Sequence, residues 1–349
     1  MTDPDARIDL IQTWLRSDLQ LTVHRFEPAS ADASFRRYFR VWGPDGASRI
    51  VMDAPPDKED VGPFLQVAAL LERCSVHVPH IEAADAPRGL VLLEDLGSLH
   101  YLSRLRGGAD PQALYGEALE TLRRIQIGGA EAARLLRPYD RPQLARELEL
   151  MPEWFCERHL QLTLQDSDRE VIATSFELLI RECLAQPTVF VHRDYHSRNL
   201  MVLPERNPGV IDFQDALAGP VGYDLVSLLK DCYIDWPRAD VERWVGQYRA
   251  TLRAAPAGER ALIGSSEREF LRWFDLVGVQ RHLKVLGIFA RLWYRDGKSG
   301  YIGDLPRTLD YVRDTAARYP ELRRLGEWIE RRIVPGFAAA NARVLAGGS

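Results

Sequence analysis

Apolar residues change their spacing once along this chain. In roughly the first hundred residues they form short alternating or continuous runs; beyond that they recur every three and four positions. The opening predicts an amphipathic helix. Ile8, Ile11, Leu15 and Leu19 fall on one face, Asp3 is a capping residue and Pro4 fits the first turn. Extended segments are expected at residues 22–26, 36–42 and 49–52, with Gly43-Pro44-Asp45-Gly46 turning the chain between the last two. A helix over 60–74 follows, with Phe64, Leu65, Ala68 and Leu71 facing inward, and then a buried strand over 90–93 that ends in Glu94-Asp95. Helical periodicity then covers 111–127, 141–162, 167–185, 223–233, 241–252 and 267–295. Short strands interrupt it at 189–191, 200–203 and 210–211. The pattern predicts a bilobed α+β protein, with a small β-rich N-lobe over 1–97 and a larger helical C-lobe over 98–349.

Composition narrows the classes. At 349 residues, with 46% hydrophobic and 27% charged, the chain has material for a sizeable core, and wholesale disorder is excluded. A net charge of −5 lacks the basic footprint of a nucleic-acid binder. No apolar run approaches the ~20 residues of a membrane span, and the acidic start does not read as a signal peptide. Cys74, Cys156, Cys183 and Cys232 are scattered and form no CxxC pair. Together these predict a cytoplasmic protein without nucleic-acid or membrane partners; they leave the oligomeric state open. Of the 45 Lys and Arg residues only four are lysines, at positions 58, 230, 284 and 298. Chemistry that calls for a lysine has few to choose from.

The informative stretch is Val189-Phe190-Val191-His192-Arg193-Asp194, with Asn199 five positions after Asp194 and Gly209-Val210-Ile211-Asp212-Phe213-Gln214-Asp215 beyond. A strand delivers His-Arg-Asp into a loop, a hairpin returns the chain, and Asp212 arrives at its far end. Phosphoryl transfer from ATP needs those residue types: a carboxylate to take the proton of the attacking hydroxyl, and oxygen ligands to hold Mg²⁺ on the phosphates. Asp194 is the candidate catalytic base; Asn199 and Asp212 are the candidate metal ligands. Four fixed residues of H-R-D-x-x-x-x-N arise by chance in about two chains of this length per thousand.

This segment resembles the aminoglycoside-phosphotransferase branch of the protein-kinase-like fold, and the resemblance extends over nearly the whole chain. It implies ATP and Mg²⁺ as cofactors, a nucleotide in the cleft, and a hinge at Leu92-Leu93-Glu94-Asp95, with Glu94 where that hinge meets adenine. Asp32-Ala-Ser34-Phe-Arg36-Arg37-Tyr, Ile50-Val-Met-Asp-Ala-Pro-Pro56 and Gln280-Arg281-His282-Leu-Lys-Val-Leu-Gly287 resemble one subgroup, the anomeric N-acetylmuramate/N-acetylglucosamine kinases of bacterial cell-wall recycling. That resemblance implies phosphorylation of the C1 hydroxyl of an amino sugar. Alternatives are a kinase of another hydroxylated small molecule, such as an aminoglycoside, or a nucleotide-binding pseudokinase.

Two departures stand out. The stretch that should cover the phosphates, around Ser34, has no glycine, and Ile50-Val51-Met52-Asp53 has no strand-three lysine. Arginine must then supply the cation. Residues two apart on a strand share a face, which groups Arg36 with Arg40 and puts Arg37 opposite. Arg36 is the first choice and Arg40 the second. On the acceptor side the candidates are His196, Asp215, Arg281 and His282; Asp224 reads as a brace for the catalytic loop.

Overall fold

The computed structural model describes residues 4–31, 35–253 and 262–347. The chain divides into two compact units, residues 1–107 with 198–215, and residues 108–197 with 216–349. This division differs from the expected boundary at 97/98 in two ways. The boundary falls ten residues later, and the hairpin built from Leu200–Met201 and Gly209–Val210 belongs to the first unit. Backbone bridges from His77 to Gly209 and from His100 to Met201 tie the hairpin there. So do the His100 Nδ1–Arg198 carbonyl contact of 2.6 Å and the Asn207 amide donating to the Tyr101 hydroxyl at 2.8 Å.

The first unit is built on an antiparallel sheet of β1 (Arg25–Ala31), β2 (Arg37–Trp42), β3 (Ser48–Asp53), β4 (Ile81–Asp85) and β5 (Leu90–Glu94), in the order β1-β2-β3-β5-β4. Gly46, at φ +79°, takes the left-handed position of the β2–β3 turn, where a side chain would be strained. Period-two alternation divides the sheet. Phe39, Val41, Val51, Leu90 and Leu92 pack under Ile11, Trp14 and Leu15, which come from the helix Pro4–Thr13 and the turn after it. Arg37 lies opposite Asp53 across the ladder, and the fully buried Asp53 carboxylate also receives Arg7. The other face carries Tyr38, Arg40 and Ile50, with Leu93 in register with Ile50.

Two strands differ from the sequence reading. β1 starts at Arg25 rather than 22 and runs through Pro28; proline is tolerated because β1 is an edge strand and the register shifts between Pro28 and Ser30. β4 was not anticipated, because its Ile81-Glu-Ala-Ala-Asp85 sequence carries little strand signal, and it too lies at an edge.

In the second unit the strand Thr188–Val191 pairs with Leu217–Pro220, and helices make up most of the rest. The expected helix over 141–162 is divided into Arg141–Leu148 and a π-helical segment, Met151–His159, where Pro152 lacks the N–H a continuous helix needs. The long helix Glu267–Tyr294 is buried around most of its circumference, charged Asp275, Arg281 and Lys284 included. Gly287 lets it approach closely, since a Cβ there would collide with the backbone of Leu150. All four cysteines are free and buried.

Candidate active site

A cavity of about 540 Å³ lies within the first unit. Tyr38, Arg40, Ile50 and Leu93 form its sheet wall, Glu94 to Gly97 its rim, and Asn199, Met201, Ile211 and Asp212 of the hairpin close it. Asp212 has φ +64°, an uncommon conformation for a residue with a side chain. The next residue, Phe213, anchors it by packing on Phe64 with ring centroids 4.8 Å apart. Asn199 Nδ2 donates to Asp212 Oδ2 at 3.0 Å, and Gln214 Nε2 to Asp212 Oδ1 at 2.9 Å. Arg36 Nη2 stands 4.0 Å from the same Oδ1, with its side chain largely buried.

This donor set fits magnesium. No group of three or more His, Cys, Asp or Glu side chains that could hold a metal occurs among the described residues. One carboxylate and one amide oxygen, brought together by a hairpin and completed by phosphate oxygens and water, are what that hard cation usually takes from a protein. Asn199 and Asp212 would hold it.

The two arginines assigned to one face have different employment. Arg36 is directed to Asp212, whereas Arg40 is bidentate on Asp95, at 2.6 and 2.9 Å, and also donates to the Gly97 carbonyl. Arg40 braces the cavity rim. Glu94 lines the cavity, but its carboxylate is turned to His77 Nε2, at 3.1 Å, and to the backbone N–H of His80. Lys58 is exposed beside Asp57, and Asp215 is exposed. Ser34 lies outside the described residues.

In the second unit, Thr188–Val191 leads into His192-Arg193-Asp194. The backbone N–H groups of His192 and Arg193 donate to the two carboxylate oxygens of Asp224, at 2.7 and 2.9 Å, and Ser227 Oγ donates to the Arg193 carbonyl. Burial pushes the Asp224 carboxyl up to about 7, against two donors that favour its charged form. Arg193 is held at φ +79°. The loop continues to His196, whose ring meets Tyr233 edge-on at 5.2 Å, and to Ser197, whose N–H and Oγ both donate to Asp231.

Asp194 keeps 41% of its side chain exposed. Loss of surrounding water acts to raise its pKa, but Lys284, His196, Arg193 and Arg281 outweigh that and hold it well below the ordinary carboxylate value. It is therefore a carboxylate at neutral pH. Arg281 is buried; its Nη2 lies 4.0 Å from Asp194 Oδ1 and its Nη1 3.7 Å from Cys232 Sγ. His282, the other acceptor candidate on this helix, does not share that position. One helical step turns it away: it is buried, its Nε2 contacts the Lys230 carbonyl at 2.9 Å and it stacks on Tyr311. Burial and the adjacent Arg281 push its pKa well down.

Glu147 and Lys284 escaped the sequence reading. They form a buried ion pair at 3.1 Å, and Glu147 also receives Arg193 at 2.5 Å. The one available signal was compositional: Lys284 is one of four lysines in the chain.

The family model described as "Phosphotransferase enzyme family" matches residues 25–262. The chain belongs to this family. Curated relatives extend the likeness over most of its length. An N-acetylmuramate/N-acetylglucosamine kinase of Pseudomonas aeruginosa is 46% identical over 335 residues, 93% of this chain and 96% of the relative. A protein of the same name from Neisseria meningitidis is 44% identical over 89% of this chain and 92% of its own. Among solved structures, a Plasmodium vivax ethanolamine kinase covers 93% of this chain and 92% of its own with a TM-score of 0.63 at 13% identity. The choline kinase LicA of Streptococcus pneumoniae covers 89% and 99% with a TM-score of 0.59 at 13% identity. These solved structures share the α+β architecture that the sequence pattern predicted and the kinase-like fold that the resemblance implied.

Proposed function

We propose that this phosphotransferase transfers the γ-phosphoryl group of ATP to the anomeric C1 hydroxyl of N-acetylmuramate and N-acetylglucosamine, in cytoplasmic recycling of cell-wall sugars. The observation that carries this reading is 46% identity across nearly the full length of a kinase named for both sugars. In the reaction the C1 oxygen forms a bond to the γ-phosphorus while the bond from that phosphorus to the bridging oxygen breaks. ADP leaves and the hydroxyl proton passes to Asp194. A hemiacetal hydroxyl is more acidic than an ordinary alcohol, so a single carboxylate suffices as base. Asn199 and Asp212 hold Mg²⁺, which when bound neutralises phosphate charge. Free N-acetylmuramate and free N-acetylglucosamine are expected to support ATP consumption, and kanamycin-like polycations are not. The methyl glycosides, lacking a free C1 hydroxyl, should give no turnover; phosphorylation of either would move the chemistry to another hydroxyl.

Arg36 takes the place of the absent strand-three lysine. Its guanidinium offers two parallel donors to phosphate oxygens. Arg36→Ala is expected to weaken ATP binding and to slow transfer by about 10²–10³, the scale of losing one positioned donor. Arg40→Ala, which removes a rim brace, should cost less, and Lys58→Ala should change nothing. Nucleotide affinity and turnover measured on the three side by side decide the assignment. Impairment confined to Lys58→Ala would refute it.

A further inference from the structure

Arg281 and Lys284 stand three residues apart on the helix Glu267–Tyr294, and both are buried. Lys284 Nζ lies 3.1 Å from Glu147 Oε2 and donates to the Tyr223 hydroxyl at 3.0 Å. Glu147 is the hub of this cluster. Its Oε1 receives Arg193 Nη2 at 2.5 Å and Gln143 Nε2 at 2.9 Å, and the Tyr139 hydroxyl donates to Oε2. Arg193 precedes Asp194 in the chain and is kept in a left-handed conformation. Such a conformation persists where the surroundings over-determine it, and here they do: Asp224 holds the backbone N–H and Glu147 holds the side chain. Contacts thus run without a break from Lys284 to the residue that aims Asp194.

We infer that Lys284 is a positioning residue for phosphoryl transfer: through Glu147 and Arg193 it holds the backbone of the catalytic loop, and together with Arg281 it adds positive charge beside the Asp194 carboxylate. The charged and titratable groups facing Asp194 are Arg193 and His196 from its own loop, Arg281 and Lys284 from the long helix, and Asp224 from the helix Tyr223–Leu229. Dehydration favours the protonated carboxyl, and Lys284 leads the cations that reverse this. The inference rests on Asp194 being the base. A Lys284 that merely neutralised Glu147 would stabilise the protein without any bearing on the pH at which Asp194 works.

The experiment measures kcat, the KM for ATP and the pH profile of Lys284→Met, Lys284→Arg and the double variant Lys284→Met/Glu147→Gln, with N-acetylglucosamine as acceptor. Lys284→Met is expected to lose about 10- to 100-fold in kcat through misplacement of the loop, with KM for ATP within about twofold of wild type. Removing a cation raises the pKa of Asp194, so the acid limb of kcat should move up by about one pH unit, and Lys284→Arg should bring it back. The double variant removes both charges of the pair but also the carboxylate partner of Arg193, so the charge-keeping Lys284→Arg is the guard against a variant that fails to fold. The acid limb of the double variant should remain displaced. An unmoved limb in Lys284→Met, or a double variant with wild-type rate and limb, overturns the inference. Asp194→Asn assayed in parallel keeps the two readings apart. Normal turnover in that variant removes the base itself, whereas an inactive Asp194→Asn beside an unmoved Lys284→Met limb overturns the role of Lys284 alone.

Discussion

Asp194→Asn is expected to bind ATP as the wild type does and to turn over about 10²–10⁴ times more slowly. The substitution keeps the size of the side chain and removes its capacity to take a proton. The loop that carries it is held by other groups: Asp224 holds the backbone at His192 and Arg193, and Glu147 holds the Arg193 side chain. Loss of rate with nucleotide affinity and the circular dichroism spectrum unchanged would thus report chemistry rather than folding. The pH dependence gives a second check. Because its surroundings hold the Asp194 carboxyl below the usual range, activity should persist on the acid side until that carboxyl protonates, and fall only below the ordinary carboxylate pKa. Near-normal turnover in a folded Asp194→Asn protein would remove this residue from the mechanism.

Asp212→Ala should abolish activity, by more than about 10³-fold, and added magnesium should not restore it. Asp212 is the one carboxylate of the donor pair, and its oxygens also organise Asn199, Gln214 and Arg36. Its removal leaves an amide as the sole protein ligand and releases the arginine assigned to the phosphates. Asn199→Ala is expected to be milder, with reduced turnover and a raised magnesium requirement that high metal concentration partly overcomes. Turnover titrated against magnesium for the two variants separates these outcomes. Full activity of Asp212→Ala at ordinary magnesium would exclude it as a ligand.

The readable parts of this protein were those in which chemistry or geometry restricts residues close in the chain. The Asp194, Asn199 and Asp212 spacing is legible because one loop and one hairpin carry all three. Arg36 and Arg37 could be assigned to opposite faces because strand alternation is a local rule, and the pairing of Arg37 with Asp53 follows it. The same rule says nothing about what waits on each face. Arg40 is engaged by Asp95, 55 residues away, and His282 by the carbonyl of Lys230, 52 residues away.

Sequence by itself determined the alternation of strands and helices and the α+β class, its resemblance to the aminoglycoside-phosphotransferase branch carried the kinase-like fold, and its motif spacing singled out the candidate segment for the chemistry. Hydrophobic periodicity and the residue types demanded by phosphoryl transfer are properties of short stretches. Only the tertiary structure decided which charges meet. A buried ion must find a partner or lose more than it gains, and that partner comes from whichever element folding brings alongside. Glu147 and Lys284 lie 137 positions apart with Arg193 between them, and no spacing rule relates the three. The same holds for the hairpin at 198–215, which follows the catalytic loop in sequence yet packs in the first unit, because its partners at His77, His100 and Tyr101 lie there.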